Sequence, residues 1–284
     1  LTARYILQEL TSEEGGCYCG QDADSEGVEG KYYVFTPDEV KHLLGKEDGE
    51  EFCRLYDITE DGNFEGKSIP NRIRSSEDGW ERNDPRLKKL YDYRLSRTHL
   101  HKDDKILLSW NGWVMIGLAQ AGLVLDEPDY LNAAIRIHQF IESKMSTENG
   151  RLYLRYRDGD AAHVGQLDDY AVYSLALLEL YRTTLNADYL QKAIQRSNQM
   201  VELFEDKEQG GYFMTASDGE LLIARPKETY DGAIPSGNSV AAMVLQRLAS
   251  LTGELKWQEA ARRQMQFLAD KISDYPASSC FGML

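Results

Sequence analysis

Three stretches of the chain share one pattern of apolar and polar positions. Each has a helix-length run that is small or apolar nearly all round, then a polar break. A second run follows whose apolar positions recur at helical spacing, with charge on its other side. The stretches are SWNGWVMIGLAQAGLVLDEPDYLNAAIRIHQFI from Ser109, DDYAVYSLALLELYRTTLNADYLQKAIQRSNQM from Asp168, and SGNSVAAMVLQRLASLTGELKWQEAARRQMQFL from Ser236. They align without gaps. Asn111, Tyr170 and Asn238 each precede an aromatic by 19 residues (Tyr130, Tyr189 and Trp257), and Ala134, Ala193 and Ala261 follow. A run that is apolar on every face predicts a buried helix, and an amphipathic run predicts a helix that covers it. Self-similarity at a period of roughly 60 to 70 residues predicts stacked helical hairpins. The fold class expected is all-α: an α/α toroid of inner helices covered by outer ones.

Glycine-bearing aromatic segments follow the second run: NGRLYLRY at 149–156 and GGYFMT at 210–215, with GGCYCG at 15–20 as a third example. They predict short β-hairpin turns between units, the glycines supplying backbone freedom. Leu1–Leu10 then reads as the tail of a preceding outer helix. TPDEVKHLLG (36–45) predicts a helix with Thr36 at its N-cap, Pro37 at its first position and Gly45 past its end. A short helix is expected over GEEFCRLYDI, a long polar loop over TEDGNFEGKSIPNRIRSSEDGW, and a further helix from Asp84. This makes seven or eight substantial helices, where six hairpins need twelve. The expectation is one domain over residues 1–284, part of a longer chain: a tail (1–20), an irregular rim region (21–104) and three hairpin repeats (105–284).

Charge narrows the partners. With 47 acidic against 32 basic residues the chain carries −15, which argues against nucleic acid and anionic membrane surfaces. No run approaches about 18 consecutive apolar residues, and the start shows no signal-peptide pattern. Cys17-x-Cys19 is too tight for an ordinary disulfide, and Cys53 and Cys280 offer no second pair at zinc spacing. Reduced thiols in a cytoplasmic protein are expected, with neither metal nor cofactor. QDADSEGVEG (21–30) tests the metal question directly. Asp22, Asp24, Glu26 and Gly27 meet the first demands of an EF-hand loop, but the twelfth position is Tyr33 rather than a bidentate glutamate. The stretch reads instead as a loop at the rim of the toroid.

The stretches QDADSEGVEGKYYVFTPDE, GNFEG, DDKILLSWNGWVMIGLA, LDDYAVYSLALLELY, GGYFMT and RPKETYDGAIPSGNSVAAMVLQRL run in order over nearly the whole chain. Through them the chain resembles the C-terminal region of thioredoxin-domain-containing proteins related to spermatogenesis-associated protein 20. The resemblance implies a six-hairpin glycosidase-like toroid, similar to N-acylglucosamine 2-epimerases and α/α glycosidases. The family's thioredoxin-like domain, with its redox cysteine motif, has no counterpart in this sequence. Thioredoxin activity is therefore not expected, and Cys17-x-Cys19 is not that motif.

Ser109, Asp168 and Ser236 occupy one equivalent position and are good N-cap types. The next position holds Trp110, Asp169 and Gly237, which capping does not explain. Inner-helix N-termini gathered at one mouth make a positive-dipole rim suited to polyols or anions. Asp169 and Asp104 are the candidate catalytic carboxylates, acid and base if the chain hydrolyses glycosides. Trp110 beside Asn111 offers an apolar face and an amide for gripping a sugar ring. Lys105, Tyr170, Lys227, Asp231, Ser236 and Asn238 are further rim contacts, with Asp22, Asp24 and Glu29 from the acidic loop. An epimerase needs a proton shuttle near neutral pH, for which His99, His101 and His163 are candidates; His42 and His138 read as structural. Two functions are expected as rivals. One is a sugar- or polyol-binding domain, epimerase or hydrolase, with homo-oligomers open to it. The other is a non-catalytic ligand- or protein-binding module serving a thioredoxin-like domain.

Overall fold

A computed structural model describes residues 2–74, 84–220, 223–279 and 281. The chain forms two compact units, one of residues up to Cys19 together with Asp104 onward, the other of Gly20–Asp103. It opens in the first unit with α1 (Thr2–Tyr5), which runs into a π turn over Ile6–Leu10.

In the second unit the acidic loop forms a hairpin. After β1 (Gly20–Gln21), strands β2 (Asp24–Ser25) and β3 (Val28–Glu29) pair antiparallel, with Asp24 opposite Glu29 and Ser25 opposite Val28. Glu26 and Gly27 join them with φ of 54° and 76°. Positive φ at both central residues is the type I′ hairpin turn, so Gly27 serves the backbone. Helix α2 (Pro37–Leu44) starts on a capping box: Thr36 Oγ accepts from the Glu39 N–H while the Glu39 carboxylate accepts from the Thr36 N–H. Helices α3 (Lys46–Leu55) and α4 (Pro85–Arg97, capped by Asp84) follow. Val40, Phe52, Leu55 and Leu90 give this unit its own core. β4 (Lys102–Asp103) returns antiparallel to β1. The polar loop after α3 is held by Asn63 and Asn71 through backbone hydrogen bonds; residues 75–83 of it lie outside the described residues, as does Cys280.

The first unit holds the repeats. β5 (Ile106–Leu107) leads into α5 (Leu108–Leu125), which turns back as α6 (Pro128–Lys144). The hairpin β6 (Tyr153–Arg157) and β7 (Asp160–Val164) separates that pair from α7 (Leu167–Thr184) and α8 (Ala187–Phe204). The third pair is α9 (Gly237–Thr252) and α10 (Leu255–Asp274). α5 packs on α7 and α7 on α9, while α6, α8 and α10 each back their own inner helix. α7, between two inner neighbours, buries 13 of its 18 residues, so its apolar content on every face is what its position demands. Ala134, Ala193 and Ala261 are all buried on the outer helices, and small residues there let paired helices approach. α5 has the length and apolar content of a membrane span. It serves here as a core helix against α6 and α7.

Three details differ from the sequence reading. Among the described residues there are nine helices of eight or more residues rather than seven or eight. The N-caps of α5 and α7 are Leu107 and Gln166, so Ser109 and Asp168 fall inside the first turn; only Ser236 caps as expected. The α5 cap lacks a side-chain partner of its own because a carboxylate from the neighbouring helix takes that role, as described next.

Candidate functional site at the inner-helix N-termini

The repeat-equivalent residues Asn111, Tyr170 and Asn238 act on equivalent targets. Asn111 accepts from the Cys17 N–H at 2.7 Å and donates back to the Cys17 carbonyl at 2.9 Å and to the Leu107 carbonyl. Asn238 accepts from the Tyr212 N–H at 2.8 Å and donates to the Tyr212 and Glu228 carbonyls, with Gln264 donating to its Oδ1. Tyr170 does the same with a hydroxyl, accepting from the Leu152 N–H at 3.1 Å. Cys17, Leu152 and Tyr212 each sit in the glycine-bearing turn at the end of the preceding outer helix, where bridges pair Thr11 with Cys17, Ser146 with Leu152 and Glu205 with Tyr212. The three side chains are buried to within 1% and tie each inner helix to the turn before it. Buried polar side chains saturated in this way are structural clamps.

The position before them explains Asp169 and Gly237. Asp169, at the start of α7, is 2% exposed. Its Oδ1 accepts from the Ser109 N–H at 3.0 Å, its Oδ2 from the Gln166 N–H at 2.8 Å. One carboxylate thus caps α5 and closes the start of α7. Burial pushes its pKa up to about 7, against the pull of those two N–H donors. Asp168 reaches the other way and accepts from the Gly237 N–H of α9; burial raises it too. A Cβ on Gly237 would stand 2.2 Å from Asp168 Oδ1, so glycine is required by close approach. Adjacent carboxylates on the middle helix therefore bridge to both inner neighbours. Asp168 is only partly buried, which makes it the more accessible of the two.

The remaining candidates spread along this end of the unit. Asp104 is half-exposed and paired with Arg157 Nε of β6 at 2.7 Å. Lys105 is partly buried, its carbonyl accepting from the Cys19 N–H. Trp110, in the first turn of α5, leaves 47% of its surface open. Ser236 caps α9 by accepting from the Ser239 N–H, and Asp231 Oδ1 receives both its N–H and its hydroxyl. Asp231 Oδ2 accepts from the Phe281 N–H, whose ring meets Trp113 of α5 edge-on at 5.7 Å. Lys227 lies 2.6 Å from Asp206 and donates to the Gly210 carbonyl. Asp22, Asp24 and Glu29 belong to the second unit: Asp22 accepts from the Asp24 N–H, and Asp24 and Glu29 face each other across the hairpin, all exposed. Of the histidines, His99, His101 and His163 are exposed.

Three polar clusters lie outside the expected sites, although the third includes Lys227. In the first, Tyr173 donates to Glu142 and meets His138 Nδ1 at 2.8 Å, while Lys192 and Arg196 flank Glu142 at 2.8 and 3.0 Å. Burial alone would raise Glu142, but these partners outweigh it and hold its pKa at about 2, and burial lowers His138 to about 4. In the second, Glu179 of α7 pairs with Arg182 and with Arg247 of α9. The third is a concavity of about 820 Å³ lined by Asp206, Phe213, Arg225, Lys227, Phe267 and Lys271 among others. Of the candidate site residues only Lys227 lines it. Charged residues on amphipathic helices carry no spacing signal that would have singled these clusters out.

Comparison with known proteins places this architecture. No family model matches the chain. It is 30% identical over 321 aligned residues to human spermatogenesis-associated protein 20, covering 97% of this chain and 41% of that protein. An uncharacterized protein of Caenorhabditis elegans is 27% identical over 314 residues, 95% of this chain and 42% of its own length. The chain thus spans less than half the length of these relatives. Among solved structures, cellobiose 2-epimerase from Bacillus thermoamylovorans superposes with a TM-score of 0.52 at 17% identity, over 62% of this chain and 47% of that one. A family 76 glycoside hydrolase from a bovine Bacteroides thetaiotaomicron strain gives 0.51 at 16% identity, over 59% and 36%. At such identities the likeness is one of fold, and the helical hairpins with small β elements between them agree with it. The chain has a helical-hairpin fold like that of six-hairpin glycosidase-like proteins and is similar in sequence to part of spermatogenesis-associated protein 20.

Proposed function

We propose that the chain binds a sugar or another polyol where α5, α7 and α9 begin, as the carbohydrate-active-type domain of a longer protein. The observation that carries this reading is the Asp168–Asp169 pair. Burial raises both carboxyls at the start of the middle helix, Asp169 to about 7. A carboxyl that keeps its proton toward neutral pH can donate it to a leaving oxygen or a ring substituent. Asp169 is the buried member, Asp168 the accessible one, and the open face of Trp110 supplies an apolar platform at the neighbouring helix start. In a hydrolase Asp104 would be the opposing carboxylate; in an epimerase an exposed histidine of the same unit, His163, would move the proton. The fold shared with an epimerase and a glycoside hydrolase supports the ligand class.

The second reading is a non-catalytic binding module serving a thioredoxin-like domain. It is favoured by a specific observation: Asn111, Asn238, Ser236 and Asp231 all direct their polar atoms at the protein's own backbone. A thermal-shift panel of monosaccharides and disaccharides separates the readings, followed by turnover assays on each hit. A sugar that stabilises the wild type but not Asp168→Asn supports the site, and turnover supports the enzyme. Saturation without turnover supports the module. A panel in which no sugar shifts the transition sinks the sugar reading.

A further inference from the structure

We propose that the concavity beside the C-terminal end of α8, whose lining includes neither Asp168 nor Asp169, binds a phosphate monoester. It is formed by the turn after Phe204, the segment around Arg225–Thr229, and the Phe267–Lys271 face of α10. Its volume of about 820 Å³ exceeds what a bare ion fills and lies within the range of small-molecule sites.

The charges inside it are unbalanced, against the trend of a chain at −15. Asp206 is fully engaged: its Oδ2 meets Lys227 Nζ at 2.6 Å, and its Oδ1 accepts from the Glu208 and Gln209 N–H groups. Glu205 pairs with Arg263 at 3.1 Å. Once those pairs are set aside, Arg225, Lys207 and Lys271 face one carboxylate among the described residues, Glu208. Arg225 is the centre of the excess. Its guanidinium lies 4.2 Å over the Phe213 ring and donates to the Leu203 and Thr215 carbonyls, with no carboxylate partner among the described residues. Its Nε is buried without an acceptor.

Each feature selects for an oxyanion. The guanidinium fork matches the paired oxygens of a phosphate, and flanking lysines add point charge. Three cations against one carboxylate suit a dianion. Phe213 and Phe267, already close to Lys227 at 4.9 and 5.0 Å, supply an apolar floor for the organic part of an ester.

The test is calorimetric titration of the intact chain with glucose 6-phosphate, glycerol 3-phosphate, inorganic phosphate and glucose, at low and high salt. The esters bind, inorganic phosphate binds more weakly, glucose does not bind at this site, and affinity for the esters falls with salt. Arg225→Gln lowers ester affinity at least about tenfold, equivalent to about 1.4 kcal/mol. Because Arg225 also holds two carbonyls, Lys207→Gln and Lys271→Gln serve as variants at exposed positions; together they lower ester affinity by a similar factor. Ester binding that the double lysine variant leaves unchanged overturns the proposal. So does inorganic phosphate binding as tightly as the esters, or no ester binding at all. Neutral-sugar binding that Asp168→Asn removes belongs to the other site and is read separately.

Discussion

Replacing Asp169 by asparagine tests the bridge between α5 and α7, and its effect should change sign with pH. In the wild type both carboxyl oxygens accept backbone N–H groups, from Ser109 and Gln166, in a site 2% exposed. Asparagine keeps one acceptor but turns an NH₂ toward the other N–H. The loss is one hydrogen bond plus a buried donor left facing a donor, about 1–3 kcal/mol. That figure applies when the wild-type carboxyl is neutral. Its folded pKa of about 7 stands above the usual 3.8, so the folded state binds the proton more tightly than the unfolded chain. Stability from this group is therefore complete below about pH 4 and is lost as pH rises through 7. The slope is about 1.4 kcal/mol per pH unit between those limits, or roughly 4 kcal/mol in all. Asp169→Asn has no such loss. It should be the weaker protein at pH 4, where the wild type keeps nearly all of this stability, and the stronger by about 1–3 kcal/mol at pH 8. Urea unfolding from pH 4 to 8 measures the difference, followed by tryptophan fluorescence; Trp110, Trp113 and Trp257 all report from the hairpin unit. Titrating groups other than the coupled Asp168 cancel in the comparison. A difference that stays constant with pH would show that the carboxyl is ionised throughout and that burial does not govern it.

Asn238→Ala should lose at least about 3 kcal/mol, because the Tyr212 N–H and carbonyl and the Glu228 carbonyl lose their partner in the interior, whereas Tyr170→Phe, which orphans the Leu152 N–H alone, should lose about 1–3; equal urea midpoints for the two would argue against the clamp. Leu185 ends α7 in the left-handed region at φ 57° and is 78% exposed, where its equivalents are Asp126 and Gly253. Leu185→Gly should therefore stabilise the hairpin unit by about 1 kcal/mol, read as a raised Tm. His138 has its pKa lowered by burial to about 4 from 6.5. The unfolded chain then binds the extra proton between those values, so this group adds up to about 3 kcal/mol as pH rises from 4 to 6.5. His138→Gln should flatten that part of the stability profile, and a wild-type NMR imidazole signal that this substitution removes, titrating near 6.5, would contradict the burial argument.

The hairpins were legible because one periodicity recurs three times. A run apolar all round can only be satisfied by burial on every side, and α7 between α5 and α9 shows where that leads. Local signals were equally readable where a single turn decides them. Thr36 with Glu39 makes a capping box, and Asp84 caps α4, within four residues of chain. The start of α5 was misplaced for the opposite reason. Its cap comes from Asp169, sixty positions away, and no local rule contains that distance.

Sequence alone determined the class of fold, the inner and outer roles of the paired helices and the equivalence of Asn111, Tyr170 and Asn238. All of these follow from spacing, which is a property of one dimension. Only the tertiary structure decided what those residues do. It turned the equivalent residues into clamps on the preceding turn and set Asp168 and Asp169 reaching toward α9 and α5. It also left Arg225 with an aromatic ring and two carbonyls but no carboxylate among the described residues. Partner choice depends on which backbone groups folding leaves unpaired nearby and on how far burial strips water from a charge. Neither quantity exists before the helices pack.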